Sequence, residues 1–120
     1  MGDQISWHVE LAVKAGQLDN FRALTGEMVR ITRRESGVLA YQRFVSSDSK
    51  VIHVYERYAN SDAANAHLQI FMNTFAGRFQ RMVERTRFLV FGCPTAELRA
   101  TLDRFGATYL GPFGDFEYWA

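Results

Sequence analysis

Three polar side chains that could move a proton and hold an oxyanion are spaced two residues apart: His53, Tyr55 and Arg57. Because side chains of a β-strand alternate between its two faces, this spacing places all three on one face of a strand. Histidine titrates near neutral pH, so His53 is suited to accept a proton from a phenol or an enol. Tyr55 can donate a hydrogen bond to the resulting oxyanion, and Arg57 can support its charge. The same pattern is equally typical of a strand at a subunit interface or in contact with solvent.

A second histidine, His67, lies on the apolar stripe of a predicted helix, four residues before Phe71 and eight before Phe75. In this position His67 is a second candidate base, and the two rings are candidate walls for an aromatic ligand. Tyr41, on a neighbouring predicted strand, is a further candidate ligand contact. Histidine in such a stripe is also commonly a hydrogen-bonded core residue, and the phenylalanines are first of all core residues.

Other familiar chemistries lack their motifs in this sequence. No glycine-rich phosphate loop follows a predicted strand, and no histidine pair or histidine–carboxylate pair has the spacing of metal ligands. Cys93 is the single cysteine, so an internal disulfide and a thiolate metal cluster are excluded. The sequence therefore predicts neither a cofactor nor a metal.

A run of arginines, Arg78, Arg81 and Arg85, is predicted to follow one side of the second helix, with Arg87 just beyond it. Such a run is typical of a solvated helix face. It would also suit an anionic substrate, as a phosphosugar isomerase requires.

Composition limits the class of protein. The 120 residues suffice for one domain, and 48% hydrophobic residues with 22% charged residues indicate a globular chain. The net charge of +1 argues against nucleic-acid binding and against a polybasic membrane anchor. No apolar run approaches the ~18 residues of a membrane span, and the N-terminus lacks the order of a secretion signal. A cytosolic protein is therefore expected.

Hydrophobic periodicity positions these residues on alternating strands and helices. Strict alternation predicts a first strand over Ile5–Val13, and three- and four-residue steps predict a helix that ends at Ser36-Gly37. A hairpin and a second helix follow, and the pattern of this helix is interrupted near Gln69 or Asn73. A strand, a short helix capped by Thr95 and a last short strand complete the prediction. The predicted segments after the first helix, in order, are 38–46, 51–59, 62–84, 86–93, 95–106 and 107–110.

The order β-α-β-β-α-β predicts an α+β fold of the ferredoxin-like, split β-α-β type, in which an antiparallel sheet carries helices on one face. Both faces of the predicted hairpin are partly apolar, with Leu39, Tyr41 and Val45 on one side and Val38, Ala40 and Phe44 on the other. The tail adds four aromatic residues, Phe113, Phe116, Tyr118 and Trp119. A second sheet is therefore expected to cover the helix-free face, and the sequence predicts a two-fold homodimer.

Four segments, VELAVKAGQLDNF, ESGVLAYQRFVSSD, IHVYERYANSDAANAHL and TRFLVF, resemble the antibiotic biosynthesis monooxygenase (ABM) domains of the dimeric α+β barrel superfamily. The third is the most specific, with an aromatic-Glu-x-aromatic strand end at Glu56 and an Ala-x-x-Ala-x-His helix start. The resemblance implies one ABM-like domain over residues 1–120, with a core of about 5–93 and a C-terminal helix and tail over 94–120. It also implies two sheets packed face to face as a dimeric α+β barrel, with one pocket per subunit between sheet and helices.

For some members of that family the resemblance further implies oxygenation of quinol-like aromatics without flavin, haem or metal. We therefore expect a cofactor-independent monooxygenase that oxidises a small electron-rich aromatic with dioxygen. A non-oxidative isomerase or a ligand-binding dimeric module of the same fold is the alternative. In the oxygenase, the base is His53 or His67, the oxyanion donor is Tyr55, and the substrate contacts are Arg57, Tyr41, Phe71 and Phe75.

Overall fold

Nine regular helices and strands and one π-helical turn make up the fold in the computed structural model, which describes residues 3–117. In chain order they are β1 Ile5–Val13, α1 Leu18–Thr32, β2 Val38–Val45, β3 Val51–Tyr58, α2 Ser61–Ile70, the π turn Phe71–Phe75, α3 Ala76–Met82, β4 Val83–Phe91, α4 Ala96–Asp103 and β5 Thr108–Leu110.

The strands form one sheet in the order β2-β3-β1-β4-β5. The first four are antiparallel, and β5 pairs parallel to β4. The predicted α+β, ferredoxin-like class is confirmed, and the short fifth strand extends the sheet beyond β4. In the centre of the sheet, Trp7 of β1 lies opposite Glu56 of β3 and Val90 of β4, so these three side chains share one face.

The core lies between that face and the helices. Alternate residues of β1, namely Ile5, Trp7, Val9 and Leu11, are buried. The residues between them point to the other face, which the helices leave uncovered and which we call the helix-free face. The regular alternation predicted for this strand therefore determines which side of the sheet packs and which stays open.

The second predicted helix is shorter and less regular than expected. It ends at Met82, is divided by the π turn, and β4 begins at Val83 rather than at Thr86. A bulge explains the difference: Leu11 pairs with Arg85 and Glu10 pairs with Arg87, so Thr86 is an extra residue that interrupts the period of two. Arg85 consequently lies on β4, and its predicted place on the helix beside Arg78 and Arg81 is wrong.

A second bulge changes the predicted faces of β2. Val38 pairs with Tyr58 and Ala40 pairs with Arg57, which leaves Leu39 as the extra residue. Val38 therefore shares the helix side with Tyr41, contrary to the prediction that they lie on opposite faces. Ala40 and Phe44 stay on the helix-free face, where Phe44 is 55% exposed.

The C-terminal tail after β5 carries exposed aromatic rings. Phe113 is fully exposed and Phe116 is largely exposed. Tyr118 and Trp119, which the sequence analysis grouped with them, lie outside the described residues. None of the helices within residues 3–117 is long and apolar enough to span a lipid bilayer.

Candidate active site

A buried carboxylate, Glu56, stands on the helix side of β3 among apolar neighbours. Its side chain follows Ile52 and Val54 in the alternation of the strand, and only 7% of it is exposed. Trp7 Nε1 donates a hydrogen bond of 2.9 Å to Glu56 Oε1, and the Tyr58 hydroxyl donates a short hydrogen bond to the same oxygen. Two donors thus stabilise a charge that burial alone would disfavour.

His67 of α2 lies between two carboxylates. Its Nδ1 is 3.1 and 3.2 Å from the two carboxylate oxygens of Glu35, which lies in the turn after α1. Its Nε2 is 3.6 Å from Glu56 Oε1, longer than a hydrogen bond. Because a carboxylate accepts, Nδ1 carries the hydrogen of the bond to Glu35, and among the described residues Nε2 makes no hydrogen bond.

The start of α2 determines where His67 sits. The Asn60 side chain caps the helix by accepting a hydrogen bond of 2.9 Å from the Ala63 backbone N–H. His67 then falls two turns into the helix, on the stripe that packs against the sheet. Its ring contacts Tyr41 edge-on and Tyr58 at a tilt, each with a centroid distance of 5.4 Å.

A cavity opens beside Glu56 and His67, between the sheet and the helices. Its volume is about 50 Å³, which is room for a few waters. An aromatic ligand therefore requires movement of the walls. The aromatic walls are Trp7, Tyr41, Phe71, Phe79, Phe88 and Phe105, and the charged or titratable lining residues besides Tyr41 are Arg43, Glu56, His67 and Arg85.

Tyr41 and Arg43 form one polar end of the cavity. Arg43 Nη2 donates a hydrogen bond of 2.8 Å to the Tyr41 hydroxyl, and the guanidinium lies 4.5 Å from the centre of the Tyr41 ring. Its terminal nitrogens also contact the Met28 sulfur at 3.9 and 4.0 Å. Burial raises the pKa of Tyr41 far above its ordinary value, so the hydroxyl keeps its proton and can donate it in a hydrogen bond.

Arg85 of β4 lines the other end of the cavity, on the same face of the sheet. Its guanidinium lies over two rings, 5.1 Å from the centre of Phe105 and 5.9 Å from that of Phe88. Burial lowers its pKa, because the apolar surroundings disfavour the charged form. Within residues 3–117, neither Arg43 nor Arg85 has a carboxylate oxygen within 4 Å.

The structure brings together three of the predicted site residues, His67, Tyr41 and Phe71, which all line this cavity. Phe75 does not line it. Its ring is 2% exposed and packs beneath Arg78, whose guanidinium is 5.6 Å from the ring centre.

The other three predicted residues, His53, Tyr55 and Arg57, share one strand face as predicted, but that face is the helix-free one. Tyr55 and Arg57 line a shallow groove there together with Ser6 of β1 and part of the C-terminal tail. The sheet thus separates this group from His67 and the cavity.

His53 forms a pair with His8 of β1 on the helix-free face. The rings stack with an angle of 5° between their planes, and His8 Nε2 is 2.9 Å from His53 Nδ1. Burial and the neighbouring His53 lower the pKa of His8, Glu10 opposes this shift, and Arg87 adds to it. One ring must donate and the other accept, so the pair is stable when at least one imidazole is neutral.

The arginines of the predicted run lie on two different elements, α3 and β4. Arg78 makes two hydrogen bonds of 3.0 Å to the carboxylate of Glu27 on α1, so its charge is already paired. Arg81 is exposed, and Arg85 lies on β4. The run therefore does not form one helix face, which the alternative of an anionic substrate would require.

Sequence reasoning left the role of Glu56 open, placed Arg85 on the second helix instead of on β4, and missed Glu35 and Arg43. Glu56 had a recognisable signal, since it is the one acidic residue at the apolar positions of β3. Glu35 had none, because it is separated from His67 by 32 positions along the chain. In the part of the chain that the structure describes, no three His, Cys, Asp or Glu side chains are placed to hold a metal ion.

The fold and the cavity define a class of small α+β proteins in which a one-sided ferredoxin-like sheet and its helices enclose an aromatic pocket with a histidine in its wall. Residues 5–70 match the family model described as antibiotic biosynthesis monooxygenase. The match covers more than half of the chain, and the chain therefore belongs to this family.

Solved structures show the same fold at low sequence identity. MupZ from Pseudomonas fluorescens is similar over 98% of this chain and 91% of its own, with a TM-score of 0.88 and 18% identity. A putative antibiotic biosynthesis monooxygenase from Nitrosomonas europaea covers 78% of this chain and 92% of its own, with a TM-score of 0.68 and 21% identity.

SnoaB, a cofactor-independent oxygenase from Streptomyces nogalater, covers 78% of this chain and 96% of its own, with a TM-score of 0.66 and 14% identity. At such identities these likenesses establish the fold. Among curated proteins, none has significant sequence similarity to the chain.

Proposed function

We propose that this protein is a cofactor-independent monooxygenase that oxidises a small electron-rich aromatic, a quinol or an anthrone, with dioxygen. The observation that carries the proposal is the placement of His67: its Nε2 is open at the wall of an aromatic cavity, while its Nδ1 is bound to Glu35. Membership of the family and the fold shared with a cofactor-independent oxygenase support the same reaction class.

The first step is proton transfer from the substrate to His67. A phenolic or enolic hydroxyl in the cavity donates to Nε2, and the imidazolium that forms is stabilised by the carboxylates of Glu35 and Glu56. Tyr41, whose hydroxyl accepts from Arg43, is the donor that stabilises the substrate oxyanion. In this proposal Tyr41 takes the part that the sequence analysis gave to Tyr55.

The second step uses the reducing power of the substrate itself. The anion passes one electron to dioxygen, and the substrate radical and superoxide combine to a peroxide anion at the activated carbon. This anion takes the proton back from the His67 imidazolium and becomes a hydroperoxide. Loss of water then leaves a carbonyl, so that one oxygen atom enters the product, the other leaves as water, and an anthrone CH₂ becomes a quinone C=O. The apolar walls keep bulk water from the radical pair.

Oxygen uptake with menadiol and with dithranol, an anthrone, tests the proposal. We expect metal-free protein to consume oxygen faster than either substrate oxidises spontaneously, and ¹⁸O₂ to place one labelled atom in the anthraquinone. Loss of a general base lowers turnover by ~10²–10⁴, so His67→Ala should lose most of the uptake. Uptake no faster than spontaneous oxidation refutes the proposal.

The variant His53→Ala discriminates between the two candidate bases. Because His53 is paired with His8 on the helix-free face, we expect its loss to leave turnover close to that of the unaltered protein. If His53→Ala and not His67→Ala abolishes uptake, the site lies on the helix-free face instead.

We also propose that the protein is a two-fold homodimer in which the helix-free faces pack together as a dimeric α+β barrel. The support is the exposed apolar surface on that side, including Phe44, and the partly buried His8–His53 pair. Burying such a surface against a second copy removes apolar area from water.

A further inference from the structure

The two arginines of the cavity have no acidic partner among the described residues, whereas the exposed Arg78 is fully paired with Glu27. We propose that the aromatic ligand of this cavity carries a carboxylate and that Arg43 binds it. This inference rests on the proposed function, because it names the substrate class of the same site.

Arg43 has hydrogen-bonding capacity that the protein does not use. Among residues 3–117, its buried Nε has no hydrogen-bond partner, and its terminal nitrogens contact the Tyr41 hydroxyl and the Met28 sulfur. A guanidinium carries five N–H donors in a planar fork that matches a carboxylate, and leaving a buried donor unpaired is costly. A ligand carboxylate supplies the missing acceptors.

The acidic residues near the cavity are already engaged elsewhere. Glu56 accepts from Trp7 and Tyr58, and Glu35 is bonded to His67. The positive charge of Arg43 is therefore available for a ligand, and attraction to a carboxylate is strong in a partly buried site.

The position of Arg43 also suits the proposed proton transfer. Tyr41 contacts both groups: the Arg43 guanidinium lies over its ring, and the His67 ring meets it at 68° with a centroid distance of 5.4 Å. A ligand that binds Arg43 through a carboxylate and His67 through a hydroxyl on the same ring system lies along Tyr41. Such a molecule is an aromatic hydroxy acid.

Arg85 adds positive potential from the other end of the cavity. It lies on β4, which is separated from β2 by β3 and β1, so the two strands are about 14 Å apart at the usual strand spacing. The two guanidinium groups lie against different rings, that of Arg43 against Tyr41 and that of Arg85 against Phe88 and Phe105. Arg85 already lies over two aromatic rings, whereas Arg43 has the orphaned donor, and the carboxylate is therefore assigned to Arg43.

A matched pair of probes tests the assignment: 1-hydroxy-2-naphthoate and its neutral amide, 1-hydroxy-2-naphthamide, titrated by calorimetry. Neither probe requires turnover. We expect the acid to bind at least tenfold more tightly than the amide, since a hydrogen bond to a charged group contributes about tenfold to hundredfold in affinity. Arg43→Met should abolish this preference, because it lowers the affinity for the acid far more than the affinity for the amide.

Arg99→Met is the control variant, because Arg99 also lies over a tyrosine ring, 3.9 Å from the centre of Tyr109, but outside the cavity. It should keep the full preference for the acid. Circular dichroism melting of each variant verifies that it is folded.

Three results overturn the inference. Equal binding of acid and amide refutes the carboxylate site and leaves the aromatic site standing. Loss of the preference in Arg85→Met but not in Arg43→Met shows that the anion binds at the other end. If neither probe binds at millimolar concentration, both the aromatic site and the carboxylate site are contradicted. If oxygen uptake fails but the protein still prefers the acid to the amide, only the proposed oxidation is refuted.

Discussion

At the scale of single residues, His67 and its two carboxylate neighbours have separate tasks. Glu35 accepts a hydrogen bond from His67 Nδ1 and thereby orients the ring. Glu56 accepts hydrogen bonds from Trp7 and Tyr58, and its Oε1 lies 3.6 Å from His67 Nε2. Glu35 does not line the cavity. It is therefore a positioning residue in the proposed reaction.

Glu35→Gln should lower kcat and leave KM nearly unchanged. The amide keeps the shape of the side chain but removes the charge that stabilises the imidazolium form of His67 in the transition state. We expect a loss on the order of 10- to 100-fold, the range known for carboxylates that orient metal-binding histidines. Steady-state oxygen uptake measures it, with the exposed Glu97→Gln as control. An unchanged kcat contradicts the positioning role.

The lowered pKa of His8 makes stability depend on pH. In the unfolded chain His8 binds a proton near its ordinary pKa of 6.5, whereas in the folded protein it binds one only at lower pH. Between these two values the unfolded state holds more protons, so stability decreases as the pH falls below 6.5 and levels off once folded His8 is also protonated.

Urea unfolding of the protein and of His8→Gln between pH 7.5 and pH 5 measures this contribution, with the pH values chosen on either side of the ordinary pKa. The unaltered protein should lose more stability over this interval than the variant does. A difference between the two that stays constant with pH would contradict the shift.

At the scale of elements, the junction between α1 and β2 is held by a close backbone approach. Gly37 has a φ of +85°, and a Cβ added there would lie 2.6 Å from the Cβ of Ala63 on α2. This junction positions Glu35, two residues before Gly37, against the ring of His67, which lies on α2 like Ala63. The glycine thus links a tight turn to the geometry of the site.

Gly37→Ala should destabilise the protein by about 1–3 kcal/mol, because it combines an unfavourable φ with overpacking against α2. Gly106→Ala is a matched control: its φ is +72°, but nothing lies within 4 Å of the added Cβ. Denaturant unfolding of both variants separates the steric cost from the backbone cost. Equal losses in the two variants would show that the contact with Ala63 relaxes freely.

The π turn within the second helical segment decides which phenylalanines reach the cavity. A π turn contains one residue more per hydrogen-bonded ring than an α turn, so the phase of the side chains shifts along the helix. Phe71 and Phe79, eight residues apart, line the cavity together with a ring-centre distance of 5.0 Å, while Phe75 between them turns to Arg78. Purely α-helical spacing predicted Phe75 as a wall.

For the whole molecule, the main prediction is that a second copy covers the helix-free face. If two copies pack there as we propose, light scattering should give about twice the 13.8 kDa of one chain at micromolar concentration. Phe44→Arg should shift the protein toward the monomer, because the ring is exposed on that face.

Val45→Arg is the control for this experiment, because the neighbouring Val45 is similarly exposed but points to the helix side at the edge of β2. The Val45→Arg variant should have the same mass by light scattering as the unaltered protein. A 13.8 kDa species for the unaltered protein contradicts the dimer and the barrel. Equal effects of the two substitutions would place the contact at the strand edge rather than on the face.

The sequence alone determined the order of the elements and the class of the fold. Alternation along β1 and helical spacing along α1 and α2 are local patterns, and local patterns record which side of each element is apolar. The bounds of β1 and the stripe that carries His67 were therefore predictable. The two bulges were not, because an extra residue in a strand depends on the partner strand across from it.

Only the tertiary structure decided which polar residues share a site. Periodicity shows that His53, Tyr55 and Arg57 lie on one face, but it does not show on which side of the sheet the helices pack. The contact of His67 with Glu35 joins residues 32 positions apart, and such a contact forms only when α1 and α2 both pack on the same face of the sheet. The candidate base could thus be found from the sequence, whereas its carboxylate partners and the unpaired arginines of its cavity required the folded chain.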